Sequence, residues 1–158
     1  LIVLGIDPGS QITGYGVVER VNGRLREILQ GEIRPKEEFL SAKLVLIFNR
    51  LKDIMATVGP QAVAIENIFY GRNVKSLITQ GHVRGVAILA ASTAKIPIYD
   101  YTPLEIKKSV VGYGQATKIQ VQKMVQVILN LKEMPRPDAA DALAVAICHI
   151  NFMKKEPL

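Results

Sequence analysis

Cysteine occurs once, at Cys148, among 158 residues. No internal disulfide and no cysteine-based zinc cluster can form, and a reducing compartment fits. Long apolar runs are also missing. The longest is Ala142–Cys148, far short of the ~18 residues that span a bilayer. The opening Leu1–Gly5 is too short, and lacks the basic flank, for a secretory signal. A cytosolic protein with no membrane association is expected. Acidic residues are the minority charge: 14 against 20 basic ones, a net +6. Such an excess points to a polyanionic partner, with nucleic acid first and an anionic membrane surface second. Linkers, internal repeats and low-complexity tracts are absent. What remains is 49% apolar and 22% charged. That is a globular composition with material for one core, and residues 1–158 are expected to form a single domain.

The pattern alternates strands with helices. Leu1–Ile6 is a short apolar run stopped by Asp7-Pro8-Gly9, a strand entering a turn. Thr13–Val21 is a second strand, with Gly14 and Gly16 inside it. Glycines in a strand mark the close approach of another backbone or a ligand. Asn22-Gly23 is a hairpin turn, and Arg24–Ile33 makes the third strand. Leu40, Leu44, Ile47, Leu51, Ile54 and Val58 are spaced 4, 3, 4, 3, 4, one apolar stripe on a helix that Gly59-Pro60 ends. Ala62–Ile65 is a buried strand ending at Glu66. Asn73 caps a helix over about 74–95, and Pro97–Tyr101 is a fifth strand. Thr102–Glu105 and Thr117–Gln120 are capping boxes that open two helices. Asp138 opens the last helix, to about Phe152. The pattern predicts one α/β domain with a mixed five-stranded sheet flanked by helices.

Four carboxylates have unusual addresses. Asp7 and Glu66 each terminate an apolar strand, where sites form in sheets of this type. Asp138 and Asp141 are three apart on one face of a helix that is otherwise apolar nearly all round. Each has an ordinary explanation on its own: an Asx turn at Asp7, a helix N-terminal acid at Asp138. Together they argue for a cluster. Two carboxylates ~4 Å apart repel by about 4 kcal/mol at an effective dielectric of about 20. Converging acids therefore take up protons or recruit a cation. Only Arg136 is a basic sequence neighbour, so a divalent metal is the natural counterion, and oxygen-only ligands select Mg²⁺ or Mn²⁺ over zinc. A carboxylate-held metal pair on a basic protein suggests phosphodiester hydrolysis.

These residues resemble the RuvC family, the Holliday junction resolvases of bacteria. The resemblance runs from Ile2 to about Ile150. It is carried by Leu4-Gly5-Ile6-Asp7-Pro8-Gly9-Ser10, Thr13-Gly14-Tyr15-Gly16-Val17, Ala64-Ile65-Glu66 and Arg136-Pro137-Asp138-Ala139-Ala140-Asp141-Ala142-Leu143-Ala144. It implies a ribonuclease H-like fold and a homodimer. It also implies a need for Mg²⁺, with Mn²⁺ as substitute and two ions per active site, and paired cuts in a four-way DNA junction. Asp7, Glu66, Asp138 and Asp141 are then the metal-binding catalytic acids, and the RuvA–RuvB branch-migration complex is an implied partner. Asn67, His82 and Val83 depart from the residues usual in relatives, and none of them touches the four acids.

For DNA contact, Phe69 and Tyr70 directly follow the Glu66 strand, and an aromatic there can stack on an unpaired base. Arg72, Lys75, Lys107 and Lys118 are the basic candidates. Lys118 opens a helix, whose backbone N–H groups also favour phosphate. His82, His149 and Cys148 read as structural. The helix after Asn73, apolar from Val86 to Ala91, is a candidate dimer element, the alternative being packing on the sheet. Three rival functions stay open at this level. They are an actin-like or sugar-kinase-like ATPase half, an RNA-processing nuclease of the same fold, and a non-catalytic junction-binding module.

Overall fold

The computed structural model describes residues 1–68, 73–152 and 156–158. Its elements in chain order are β1 (Ile2–Asp7), β2 (Thr13–Val21), β3 (Arg24–Ile33), α1 (Leu40–Val58), β4 (Ala62–Glu66) and α2 (Val74–Thr93). They continue with β5 (Ile98–Tyr101), α3 (Pro103–Val111), α4 (Lys118–Ile128) and α5 (Pro137–Phe152). The sheet order is β3-β2-β1-β4-β5. The β1–β2 and β2–β3 pairs are antiparallel, and β4 lies parallel to both β1 and β5. The mixed five-stranded sheet is the expected one.

Local chemistry explains most boundaries. Asn22 and Gly23 both have positive φ, as a tight hairpin demands. Gly59 ends α1 in the left-handed conformation, at φ 62°, and its N–H donates to the Met55 carbonyl. Both capping boxes form, at Thr102 with Glu105 and at Thr117 with Gln120. β1 extends one residue further than the sequence suggests, so that Asp7 belongs to the ladder opposite Gly14. α2 stops at Thr93, two residues early, because Lys95 takes φ 57° and cannot continue a helix.

The period-2 alternation of the strands sorts side chains onto two faces. Leu4, Ile6, Val17, Val63, Ile65 and Ile98 face α1 and α2. Val3, Val18, Ala62, Ala64 and Tyr101 face α3, α4 and α5. The α1 stripe is buried at Ile47, Leu51 and Ile54, while Leu40 is exposed at the outer end of the helix. Within the Val86–Ala91 run of α2, Ala87, Ala90 and Ala91 are buried and Val86 and Ile88 pack beside them on the sheet, with Leu89 left exposed.

α5 is buried from Ala142 to Ile150 and touches all five strands. It comes close to the sheet because the strands beneath it carry glycine at the points of nearest approach, Gly5, Gly14 and Gly16. A Cβ on Gly5 would strike the Ala142 carbonyl, and one on Gly16 would meet Leu143. The strand glycines read from the sequence as marks of close approach are approached by this helix.

Candidate active site

Alternation places the acids. Val3, Gly5 and Asp7 share one face of β1, and Ala62, Ala64 and Glu66 share the same face of β4. β1 and β4 are parallel and in register through Ile6 with Ile65. Asp7 and Glu66 therefore emerge side by side at the carboxyl ends of adjacent strands, on the α5 side. Their side chains lie close enough to act directly on one another. Burial first, then the charges of Glu66, Asp141 and Asp138, hold the Asp7 carboxyl well above the ordinary carboxylate range.

α5 begins directly above them. Asp138 sits in its first turn and Asp141 one turn on. A single open cleft is lined by all four acids, by the Pro8–Gln11 turn, and by Lys75, Lys107 and Lys118. The Lys118 ammonium lies 3.3 Å from Oδ2 of Asp141, and Asp141 in turn raises the Lys118 pKa. Burial nevertheless keeps the Asp141 carboxyl above its usual value, against the opposing pull of Lys118. Sequence adjacency offers Arg136 as the one basic neighbour. In space Lys118, 23 positions away from Asp141 along the chain, takes that place, and Arg136 turns to Glu32.

The donor set suits a hard divalent cation: four carboxylates, an open cleft, and more negative charge than the lysine beside Asp141 offsets. Among the described residues no three ligating side chains converge into a ready-built cage. Mg²⁺-type ions do not require one, since they are held by one or two carboxylates together with water and substrate phosphate oxygens. The arrangement can therefore bring such an ion and a phosphate together.

Lys75, Lys107 and Lys118, the basic candidates among the described residues, line the cleft. Phe69, Tyr70 and Arg72 lie outside the described residues. His149 is structural, its Nδ1 sharing a 2.8 Å hydrogen bond with the Tyr101 hydroxyl. Cys148 is buried in the core. Residues not singled out from the sequence also line the cleft, notably Ser76, Thr79 and Gln80 on α2. Their signal is legible afterwards: they follow Lys75 at spacings that place them on one helical face.

A family model described as crossover junction endodeoxyribonuclease RuvC matches residues 3–149. A crossover junction endodeoxyribonuclease RuvC from Caldanaerobacter subterraneus subsp. tengcongensis is 52% identical over 151 residues, covering 94% of this chain and 92% of the relative. Two solved structures of Thermus thermophilus RuvC match over the full length of this chain. One, in complex with a Holliday junction substrate, has a TM-score of 0.93 at 34% identity, with 99% of that chain covered. The other has a TM-score of 0.89 at 33% identity, with 100% covered. The ribonuclease H-like architecture expected from the sequence is the observed one. With the acids at the strand ends and the match across the domain, the chain belongs to the RuvC family.

Proposed function

We propose that this chain is a metal-dependent endonuclease that resolves four-way DNA junctions by paired phosphodiester hydrolysis, in recombination and repair. The observation that carries the reading is the placement of Asp7 and Glu66 at adjacent strand ends, facing Asp138 and Asp141 in a cleft edged by lysines. Residues 1–158 act as one nuclease domain. Asp7, Glu66, Asp138 and Asp141 hold Mg²⁺, or Mn²⁺ in its place, with two ions per site. When bound, the ions supply Lewis-acid charge at the scissile phosphate and ease deprotonation of the attacking water. The acids orient that water and take up its proton. Lys75, Lys107 and Lys118 neutralise flanking phosphates, Phe69 is the residue proposed to stack on a base at the junction centre, and Tyr70 and Arg72 are further proposed DNA contacts.

A homodimer supplies the second cut, because a two-fold protein matches the pseudo-two-fold symmetry of the junction. Exposed Val74, Ile78 and Leu89 on α2 support that helix as the dimer element. The RuvA–RuvB motor is the partner that would deliver junctions, and the DNA substrate argues for the cytoplasm. Among the described residues no helix is long and apolar enough to cross a membrane.

The test is nicking of a labelled synthetic four-way junction, with linear duplex and single-stranded RNA alongside, in Mg²⁺ or EDTA. Paired nicks near the centre, lost with EDTA and with Asp7→Asn, are expected. Cutting of RNA alone would replace this reading with that of an RNA-processing nuclease.

A further inference from the structure

The residue row that holds Asp7 does not end at the cleft. Asp7 pairs with Gly14 on β2, and Gly14 pairs with Glu32 on β3. Directly paired residues share a face, so Glu32 also projects toward α5. Two strand spacings separate it from Asp7, about 10 Å along the sheet.

Glu32 is a buried acid serving two arginines. Its side chain is 3% exposed. Its Oε2 accepts from Arg34 at Nε (2.9 Å) and at a terminal nitrogen (2.6 Å). A terminal nitrogen of Arg136 lies 3.5 Å from the same oxygen. Oε1 is buried and has no hydrogen-bond partner among the described residues. A buried carboxylate needs one cation to balance it, and here there are two. The surplus charge faces outward, with the Arg34 side chain 51% and the Arg136 side chain 76% exposed. Each guanidinium carries five donors, and few of them are used here.

The positions of the two arginines decide what that surplus is for. Arg34 follows the last residue of β3. Arg136 lies two residues before Asp138, and its carbonyl accepts from the Ala140 N–H, so the first turn of α5 fixes its backbone. Exposed guanidinium groups paired with a buried carboxylate near the cleft suit phosphate, which a guanidinium binds bidentately.

We infer that Arg34 and Arg136, held in place by Glu32, form a phosphate-binding site for the DNA strand where it runs past β3, flanking the phosphate held at the acids. The inference rests on the nuclease reading for its ligand. It adds a second wall to the DNA path, on the side of the cleft away from Lys75 and Lys107.

The test is the salt dependence of DNA binding, measured in EDTA on both a four-way junction and a linear duplex. Each phosphate contact contributes about 0.9 to the slope of log K against log salt. Arg34→Ala and Arg136→Ala are each expected to lower the slope by about 1 and to weaken binding several-fold, and the double variant to lower it by about 2. Arg136→Lys, which keeps the charge, should restore most of the slope. Arg50→Ala, on α1 across the sheet, removes the same charge from the opposite face and should leave the slope alone. Slopes for Arg34→Ala and Arg136→Ala equal to that of Arg50→Ala would overturn the inference. The two substrates separate the claims. A wild type that shows no junction preference, with variants that still lose slope on duplex, would refute the junction reading and leave this site standing.

Discussion

The carbonyl oxygen of Asp138 lies directly over Gly14, so close that a Cβ on Gly14 would overlap it. One backbone contact thus sets the height of the α5 acids above the strand beside Asp7. Gly14→Ala must push the first turn of α5 away from the sheet, since the atom it meets is backbone and cannot rotate aside. The expected cost is about 1–3 kcal/mol of stability, as for overpacking in general. Junction cutting should fall much more than junction binding. Denaturant melts and single-turnover cleavage of the same variant check the two effects.

Asp7→Asn separates function from stability. It removes a buried carboxyl that three neighbouring acids repel. Cleavage should fall by more than the ~10–100-fold typical of changes in a metal site's outer shell. Folding without divalent ions should improve by about 1 kcal/mol, roughly 2–4 °C in Tm for a chain of this size. A Tm below wild type in EDTA would contradict the account of Asp7 as an acid held at a cost.

Lys118→Ala probes the cation beside Asp141. The lysine is 75% exposed at its side chain, so the pair adds only about 0–1 kcal/mol to stability. Its effect should instead appear in chemistry, as slower cutting at saturating junction with a near-wild-type melt. A large loss of stability with unchanged cutting would assign the lysine to the fold.

The Tyr101–His149 hydrogen bond ties β5 to the far end of α5. Burial raises the Tyr101 phenol pKa, so its hydroxyl stays protonated. Burial lowers the His149 pKa below 6.5. The unfolded chain therefore binds this proton more readily than the native one. Stability is full above about pH 6.5 and falls as pH drops through the lowered native value. Tyr101→Phe leaves the buried Nδ1 without this partner and should cost about 1–3 kcal/mol at pH 7.5. Urea unfolding of both proteins at pH 7.5 and 5.5 tests the sign. A wild type more stable at the lower pH, after the His149→Asn variant is used to subtract the other groups, would refute it.

Much of this protein is local and could be read along the chain. Asn22-Gly23 dictates the hairpin through positive φ, and the two capping boxes start their helices with hydrogen bonds made within four residues. The 4-3 spacing of α1 is a property of the helix itself. The four acids were visible because an acid at the end of an apolar strand, or on an apolar helix, conflicts with its surroundings. That conflict is written in sequence order.

Other features depend on distance through space, which sequence order does not encode. Lys118 reaches Asp141 only because α4 packs against α5. Glu32 meets Arg136 only because β3 pairs with β2 with Glu32 opposite Gly14, beneath the start of α5. A slip of one residue would turn Glu32 to the opposite face. The amino-acid sequence alone determined the elements, the four acids and the basic charge. The tertiary structure decided which cations stand beside which acids, because strand register and helix packing set those separations.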